Sequence, residues 1–268
     1  MKHISSRDNP LYKRLMRIAA GKRDMQDADP STVGPSVLLE GIHLCQAWLQ
    51  YGGQPLVALF DAERLERDPE LEQLATELYA AVCHSCEPRL AKGLSQVEHG
   101  QGVYFLVRAP APAVPDRIDH LCIWLDRVQD PGNVGTLLRT AAAAGVRHAY
   151  LSTACAHAWS AKVLRSAQGA HFVMTVYEHV DLLAVVERLA VPLVATSLVD
   201  AESLYGKPLP AACAWVVGNE GQGVAASLLA KADRRVFIPQ AANVESLNVA
   251  AAAAVCLFEQ RRQHAGTS

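Results

Sequence analysis

The feature that most constrains this chain is a regular alternation over residues 118–262. Short apolar runs at 121–125, 148–151, 172–176, 193–197, 214–217 and 236–238 read as strands. Between them, 135–144, 160–167, 180–189 and 247–262 read as helices. Strands apolar on both faces, alternating with helices, predict an α/β fold with a mostly parallel sheet covered by helices. In such a sheet, ligands bind beyond the carboxyl ends of the strands. The polar loops at those ends are therefore where chemistry is expected.

The first 108 residues predict a smaller α/β domain. A helix is expected over 9–20, with Leu11, Leu15 and Ile18 on one face. Strands are expected at 37–39, 56–60 and 102–107, and a helix at 69–78. Residues 21–35 read as a connection, because Pro30, Gly34 and Pro35 break regular structure. Residues 109–117 form a proline-rich linker, and 118–268 make the second domain.

The charges nearly cancel, 25 basic against 27 acidic residues, which excludes a uniformly basic nucleic-acid binder. They are unevenly placed. Residues 1–25 carry seven basic and two acidic residues, whereas 26–99 carry four basic and twelve acidic. The basic arm suits a polyanion or is a solvated helix face. The odd count of seven scattered cysteines argues against a disulfide framework. Cys83 and Cys86 have C-x-x-C spacing in a run that reads as helical, with no second ligand pair, so ordinary thiols and no metal are expected. Residues 1–9 are polar and no apolar run is long enough to cross a bilayer, so a cytoplasmic protein is expected.

Three strand ends stand out. The first runs from Asp126 to Thr140 and contains the turn pair Pro131-Gly132, with Asn133 where a helix begins, as a candidate cap for it. Arg139 follows, flanked by Leu138, Ala141 and Ala142, where a guanidinium needs a phosphate, a substrate oxygen or an internal Asp as partner. The second is Gly218-Asn219-Glu220-Gly221-Gln222-Gly223. Residues 221–226 match a loose dinucleotide pattern, but Asp233 comes too early for the ribose and Glu220 has the wrong charge for a pyrophosphate. The third is Ile238 to Val249, in which Ser246 is a candidate cap and Asn248 an amide beside an apolar run. No nucleophile elbow, P-loop or zinc-protease motif is present. Asn133, Arg139, Glu220, Ser246 and Asn248 suit a group transfer in which a donor supplies the reactive centre and the protein orients an oxygen nucleophile.

Asp130-Pro131-Gly132-Asn133-Val134-Gly135 with Arg139, then 218–223, then Ile238-Pro239 with Ser246-Leu247-Asn248-Val249, resemble the three motifs of the SpoU/TrmH family. These are RNA ribose 2′-O-methyltransferases of the SPOUT class. Ile4-Ser5-Ser6-Arg7-Asp8-Asn9-Pro10 with Lys13, and Leu38-Leu39-Glu40-Gly41, resemble family members with an N-terminal RNA-binding domain similar to ribosomal protein L30e.

The resemblance implies a deep trefoil knot in the second domain, S-adenosylmethionine as cofactor, a homodimer and a structured RNA substrate, ribosomal rather than transfer RNA. No metal and no membrane are implied. The cofactor pocket would use Gly218, Asn219, Gly223, Ile238 and Leu247. Asn133 would place the ribose, and Arg139 would bind phosphate or assist deprotonation of the 2′-hydroxyl. Glu220 would anchor its loop and fix Arg139 or Asn133, while Ser246 and Asn248 would support the ribose hydroxyl and the knot loop. An arginine is a poor resting base, so the orienting role is the firmer one. Gln240 and Ala242 stand where family members often have Met and Gly. Tyr12 is a candidate for stacking on a base. A transfer-RNA substrate, or a catalytically silent RNA-binding scaffold, is the alternative.

Overall fold

A computed structural model describes residues 1–28, 34–242 and 246–264. Part of the connection expected over 21–35, and residues 243–245 of the third loop, lie outside the described residues. The chain divides into two units, 1–111 with 159–161 and 112–158 with 162–268.

The first unit contains β1 (Lys2–Ile4), α1 (Pro10–Ala19), β2 (Ser36–Glu40), α2 (Ile42–Tyr51), β3 (Val57–Asp61), α3 (Ala62–Arg67), α4 (Pro69–Thr76), β4 (Cys83–Cys86), α5 (Pro88–Leu94) and β5 (Val103–Arg108). Its sheet has the order β1-β4-β3-β5-β2, with β2 and β5 antiparallel and β1, β4 and β3 parallel. Asn9 Oδ1 accepts from Leu11 N and Tyr12 N and starts α1, with Pro10 at the first helical position. Tyr12, Leu15 and Ile18 are the face that α1 buries.

Three expectations for this unit change. Tyr12 is 3% exposed and its hydroxyl donates to Leu90 O at 3.1 Å, so it is a core residue and not a stacking platform. Cys83 and Cys86 lie on a strand, not a helix. Positions three apart on a strand point to opposite faces, so the two thiols do not converge. Burial raises both pKa values, that of Cys86 to about 12. The basic arm is also partly neutralised from within. Arg14 binds buried Asp24 at 2.6 Å and Lys13 pairs with Asp8 at 2.7 Å.

The second unit contains β6 (Cys122–Asp126), α6 (Pro131–Ala144), β7 (His148–Ser152), α7 (Ala161–Ala167), β8 (Thr175–Val180), α8 (Leu182–Val185), β9 (Leu193–Thr196), β10 (Glu202–Ser203), β11 (Ala214–Gly218), α9 (Ala226–Lys231), β12 (Arg234–Phe237) and α10 (Val249–His264). Its seven strands run in the order β10-β12-β9-β11-β6-β7-β8, every neighbouring pair parallel. Strands β6 and β11 are buried at every residue, which explains their apolar sequences up to the closing Asp126 and Gly218. Trp124 and Trp215 are among the largest fully buried side chains. The Trp215 indole N–H donates to Gln260 Oε1 of α10 at 2.7 Å, and Gln260 Nε2 donates to Pro210 O at 2.7 Å.

One strand moves. The apolar run read as a strand at 172–176 begins in a 3-10 turn at Ala170–Phe172, and β8 lies further on at Thr175–Val180. The helix expected at 180–189 shortens to α8 followed by a 3-10 turn at Val186–Arg188. Among the described residues, no helix is long and apolar enough to cross a membrane.

The registers place the polar loops. Gly218 lies opposite Asp126, Val216 opposite Ala195, and Val236 opposite Thr196. Strands β6, β11, β9 and β12 therefore release their carboxyl ends along one edge of the sheet. From β6 the chain passes through α6 to β7 on one side. From β11 it passes through α9 to β12 beyond β9 on the other. The loops diverge between β6 and β11, the arrangement that opens a ligand crevice.

Candidate active site

The loop after β11 is built first by its own backbone. Asn219 and Gly223 exchange two hydrogen bonds, N to O at 3.1 and 2.8 Å, closing a tight turn. Asn219 Oδ1 accepts from Gly221 N and Gln222 N, and Asn219 Nδ2 donates to Arg127 O at 2.9 Å. Gly223 has φ of 68°, in the left-handed region that a Cβ disfavours. At Gly218 a Cβ would collide with the backbone of Gly223 and Val224. Glycine at 218 is thus required by the closeness of the returning chain.

A frame that sequence reasoning missed holds this turn against β6. Asp126, 4% exposed, accepts from Ala225 N at 2.8 Å and from its neighbour Arg127. Arg127, with φ of 57°, also donates to Gln222 Oε1 at 2.8 Å and Gly223 O at 3.2 Å. The available signal was an Asp-Arg pair ending an apolar strand. Such a carboxylate at a buried position needs partners.

On the facing side, Asp130 caps α6. Its Oδ1 accepts from Asn133 N at 2.9 Å, with Pro131 next in the helix. The cap is therefore Asp130, and the Asn133 side chain is free for other partners. Asn133 Nδ2 donates to Glu220 Oε1 at 2.9 Å, and Asn133 Oδ1 accepts from Asn248 Nδ2 at 3.0 Å. Glu220 Oε1 also lies 3.4 Å from Asp130 N. Asn248 Oδ1 accepts from Ala250 N and Ala251 N, which makes Asn248, not Ser246, the cap of α10. Three loops far apart in sequence meet at one amide.

The electrostatics follow. Partial burial raises the Glu220 pKa. Hydrogen bonds from Asn133 and from backbone N–H groups outweigh it and hold the carboxyl below its ordinary value. Asp130 is also lowered, first by the Asn133 N–H and then, against a small burial cost, by Lys162. An acid held as carboxylate fixes Asn133 with its N–H₂ toward Glu220 and its oxygen toward Asn248.

Arg139 and Ser246 lie outside this bonded group. Arg139 is exposed, on the same outward stripe of α6 as Thr136 and Ala143. Of the three partners open to Arg139, an internal Asp is not found among the described residues, and Glu220 fixes Asn133 rather than Arg139. Six residues along a helix separate Arg139 from Asn133 by about 9 Å of rise. Ser246 is likewise exposed.

Features fitting a nucleoside cofactor gather at the carboxyl ends of β9, β11 and β12. Ile238 and Gln240 follow β12 and are half-buried. Gln240 Oε1 is buried with no hydrogen-bond partner among the described residues, an acceptor suited to an amino group. Leu198 and Val199, just past β9, expose 63% and 68% of their surface, and Leu247 exposes 38%. Apolar side chains plus an unmet acceptor suit an adenosyl group carrying amino donors.

The SpoU rRNA Methylase family model matches residues 120–258, over half of the chain. The chain belongs to the SpoU rRNA methylase family. The SpoU relatives extend the likeness beyond the matched domain. A protein of Synechocystis sp. named as an uncharacterized tRNA/rRNA methyltransferase is 35% identical, across 97% of this chain and 93% of its own length. The 23S rRNA (guanosine(2553)-2′-O)-methyltransferase RlmP of Bacillus subtilis is 32% identical, across 97% of this chain and 100% of its own. Among solved structures, an RNA 2′-O ribose methyltransferase superposes with a TM-score of 0.80 at 28% identity, covering 98% of this chain and 99% of that one. The SpoU methyltransferase AviRb of Streptomyces viridochromogenes, in complex with AdoMet, shares the fold with a TM-score of 0.83 at 22% identity, covering 97% and 100%.

Proposed function

We propose that this chain methylates a ribose 2′-hydroxyl of ribosomal RNA, with S-adenosylmethionine as donor, and acts as a cytoplasmic homodimer. The observation that carries the reading is the junction of Asn133, Glu220 and Asn248, one residue from each motif loop. The full-length similarity to a 23S rRNA 2′-O-methyltransferase supports the substrate class. The trefoil knot is part of the same reading, with the chain after β12 threading back toward α6.

In this reading Ile238, Leu247, Gln240 and the backbone of Gly218, Asn219 and Gly223 hold the cofactor. When bound, the cofactor supplies an electrophilic methyl group on a cationic sulfur. The protein then has two tasks. Asn133, locked by Glu220 and Asn248, would hold the target ribose in a fixed orientation at the site. Arg139, extended into solvent from α6, binds the adjoining RNA phosphate and so holds the RNA strand at the site. The hydroxyl proton would pass to solvent water as the transfer completes, so no strong resting base is needed. Ser246 borders the ribose from the third loop. A dimer mate would approach the exposed stripe of α6 and help enclose Arg139.

The test is to incubate the purified chain with labelled S-adenosylmethionine and total RNA from a strain lacking this gene, then size-fractionate. Label in large ribosomal RNA, lost with Arg139→Ala, supports the reading. Label in the transfer-RNA fraction would replace the substrate. No label and no cofactor binding would leave a silent RNA-binding scaffold.

A further inference from the structure

Outside that site, one cluster of metal-ligating side chains has no part in methyl transfer. His157 lies on the loop after β7, and Glu178 and His179 lie near the end of β8, an edge strand of the parallel sheet. One ligand atom from each falls within 4.8 Å of the other two. His157 Nδ1 is 3.5 Å from Glu178 Oε1, and the two imidazole rings meet edge-on with centroids 5.1 Å apart.

Neighbours on a regular strand point to opposite faces, so Glu178 and His179 should not share a ligand. A bulge brings them together. Tyr150 pairs with Tyr177, yet Ser152 pairs with Val180, so β8 fits two residues where β7 has one. His179 takes up the extra length with φ of 57°, a conformation costing a side-chain-bearing residue about 1–2 kcal/mol. The opposite wall is also fixed. Ala156 N donates to Val128 O at 2.9 Å and Ala158 N to Glu178 Oε1 at 2.7 Å, one residue either side of His157. Buried His171 holds Ala158 O at 2.7 Å. The backbone at His157 is thereby anchored while its side chain is 70% exposed.

We propose that His157, Glu178 and His179 bind a divalent transition-metal ion, zinc being the best match, which ties the loop after β7 to the edge strand. Two imidazoles and one carboxylate suit borderline metals such as zinc, whereas magnesium and calcium take oxygen-rich sets. Tetrahedral donors about 2.0–2.1 Å from zinc lie roughly 3.4 Å apart, so small rotations of two exposed imidazoles close the site. Glu178 keeps Oε2 for the metal while Oε1 holds the loop, and water fills the remaining position. The carboxylate makes the cluster a poor anion site. The ligands come from two separate elements, so no metal-binding spacing is visible in the sequence.

The test uses the untagged full chain, stripped with chelator and titrated with Zn²⁺ and separately with Co²⁺. Saturable binding of one zinc per chain is expected, with a rise in Tm. The cobalt form should show d–d bands without a thiolate charge-transfer band, because the chain's seven cysteines are the competing ligands. His157→Ala and His179→Ala should each weaken binding by about tenfold or more and remove the rise in Tm, while leaving the circular dichroism of the metal-free protein unchanged. Absence of saturation, a thiolate band, or unchanged affinity in both variants would overturn the proposal. Methyl transfer plays no part in this readout.

Discussion

Glu220 and Asn133 lie 87 positions apart in sequence and 2.9 Å apart in space, the carboxylate accepting from the amide nitrogen. The same amide accepts from Asn248 through its oxygen, so its orientation is set from both ends. Removing it with Asn133→Ala should slow methyl transfer about 10- to 100-fold, from loss of a hydrogen bond to a charged group. Asn133→Asp should be worse, because it sets a second carboxylate against Glu220. Single-turnover rates with Tm as a control check this order. Asp tolerated better than Ala would contradict it.

The turn at 219–223 separates two neighbouring glycines. Gly223→Ala forces an alanine into φ near 68° and should cost about 1–2 kcal/mol, with loss of the Arg127 contact to the 223 carbonyl. Gly221→Ala meets only ordinary contact, 3.7 Å from Asn219 Oδ1, and should be near neutral. Urea denaturation of the two variants side by side measures the difference.

Gln260 bridges buried Trp215 and Pro210 O. Gln260→Leu leaves the indole N–H without an acceptor and should destabilise the protein by about 1–3 kcal/mol. Equal stability to wild type would mean that the bridge contributes little.

How much was legible beforehand follows from these residues. The parallel sheet was legible because the middles of its central strands are buried on both faces and therefore apolar. Asn133 and Glu220 were legible as polar residues in Gly-containing loops at strand ends, and Asn248 as an amide beside an apolar run, although their mutual bonding was not. Arg139 was misjudged from its immediate neighbours. The helical period, not adjacency to Leu138 and Ala141, decides which way it faces, and that period puts it with Thr136 and Ala143. Asp130 and Asn133 are both good caps three residues apart, and Pro131 at the first helical position settles the choice. The β8 error has a similar source. Apolar residues 172–176 suggested a strand, while the true strand includes Glu178 and His179, polar because they lie at an open edge and a bulge.

His171 supplies a pH dependence. Burial lowers its pKa to about 4 from an ordinary 6.5, with the hydrogen bond to Ala158 O opposing only part of that shift. Between those values the unfolded chain binds a proton that the folded chain refuses. Stability is therefore full above pH 6.5 and falls as pH drops toward 4, by up to about 3 kcal/mol. His171→Gln should flatten that part of the curve. Glu220 acts below this window. Its stabilisation is present above the ordinary 4.5 and is lost as pH falls through its lower folded value. Unfolding free energies across the acid range, with Glu220→Gln for comparison, separate the two groups.

The proposed transfer is to a ribose oxygen, not to a base. The most direct measurement is alkaline hydrolysis of RNA labelled by this chain, followed by separation of the products. A 2′-O-methyl group blocks cleavage of the next phosphodiester, so label is expected in an alkali-resistant dinucleotide, accumulating about 10- to 100-fold more slowly with Asn133→Ala. Label in a mononucleotide carrying a methylated base would contradict it.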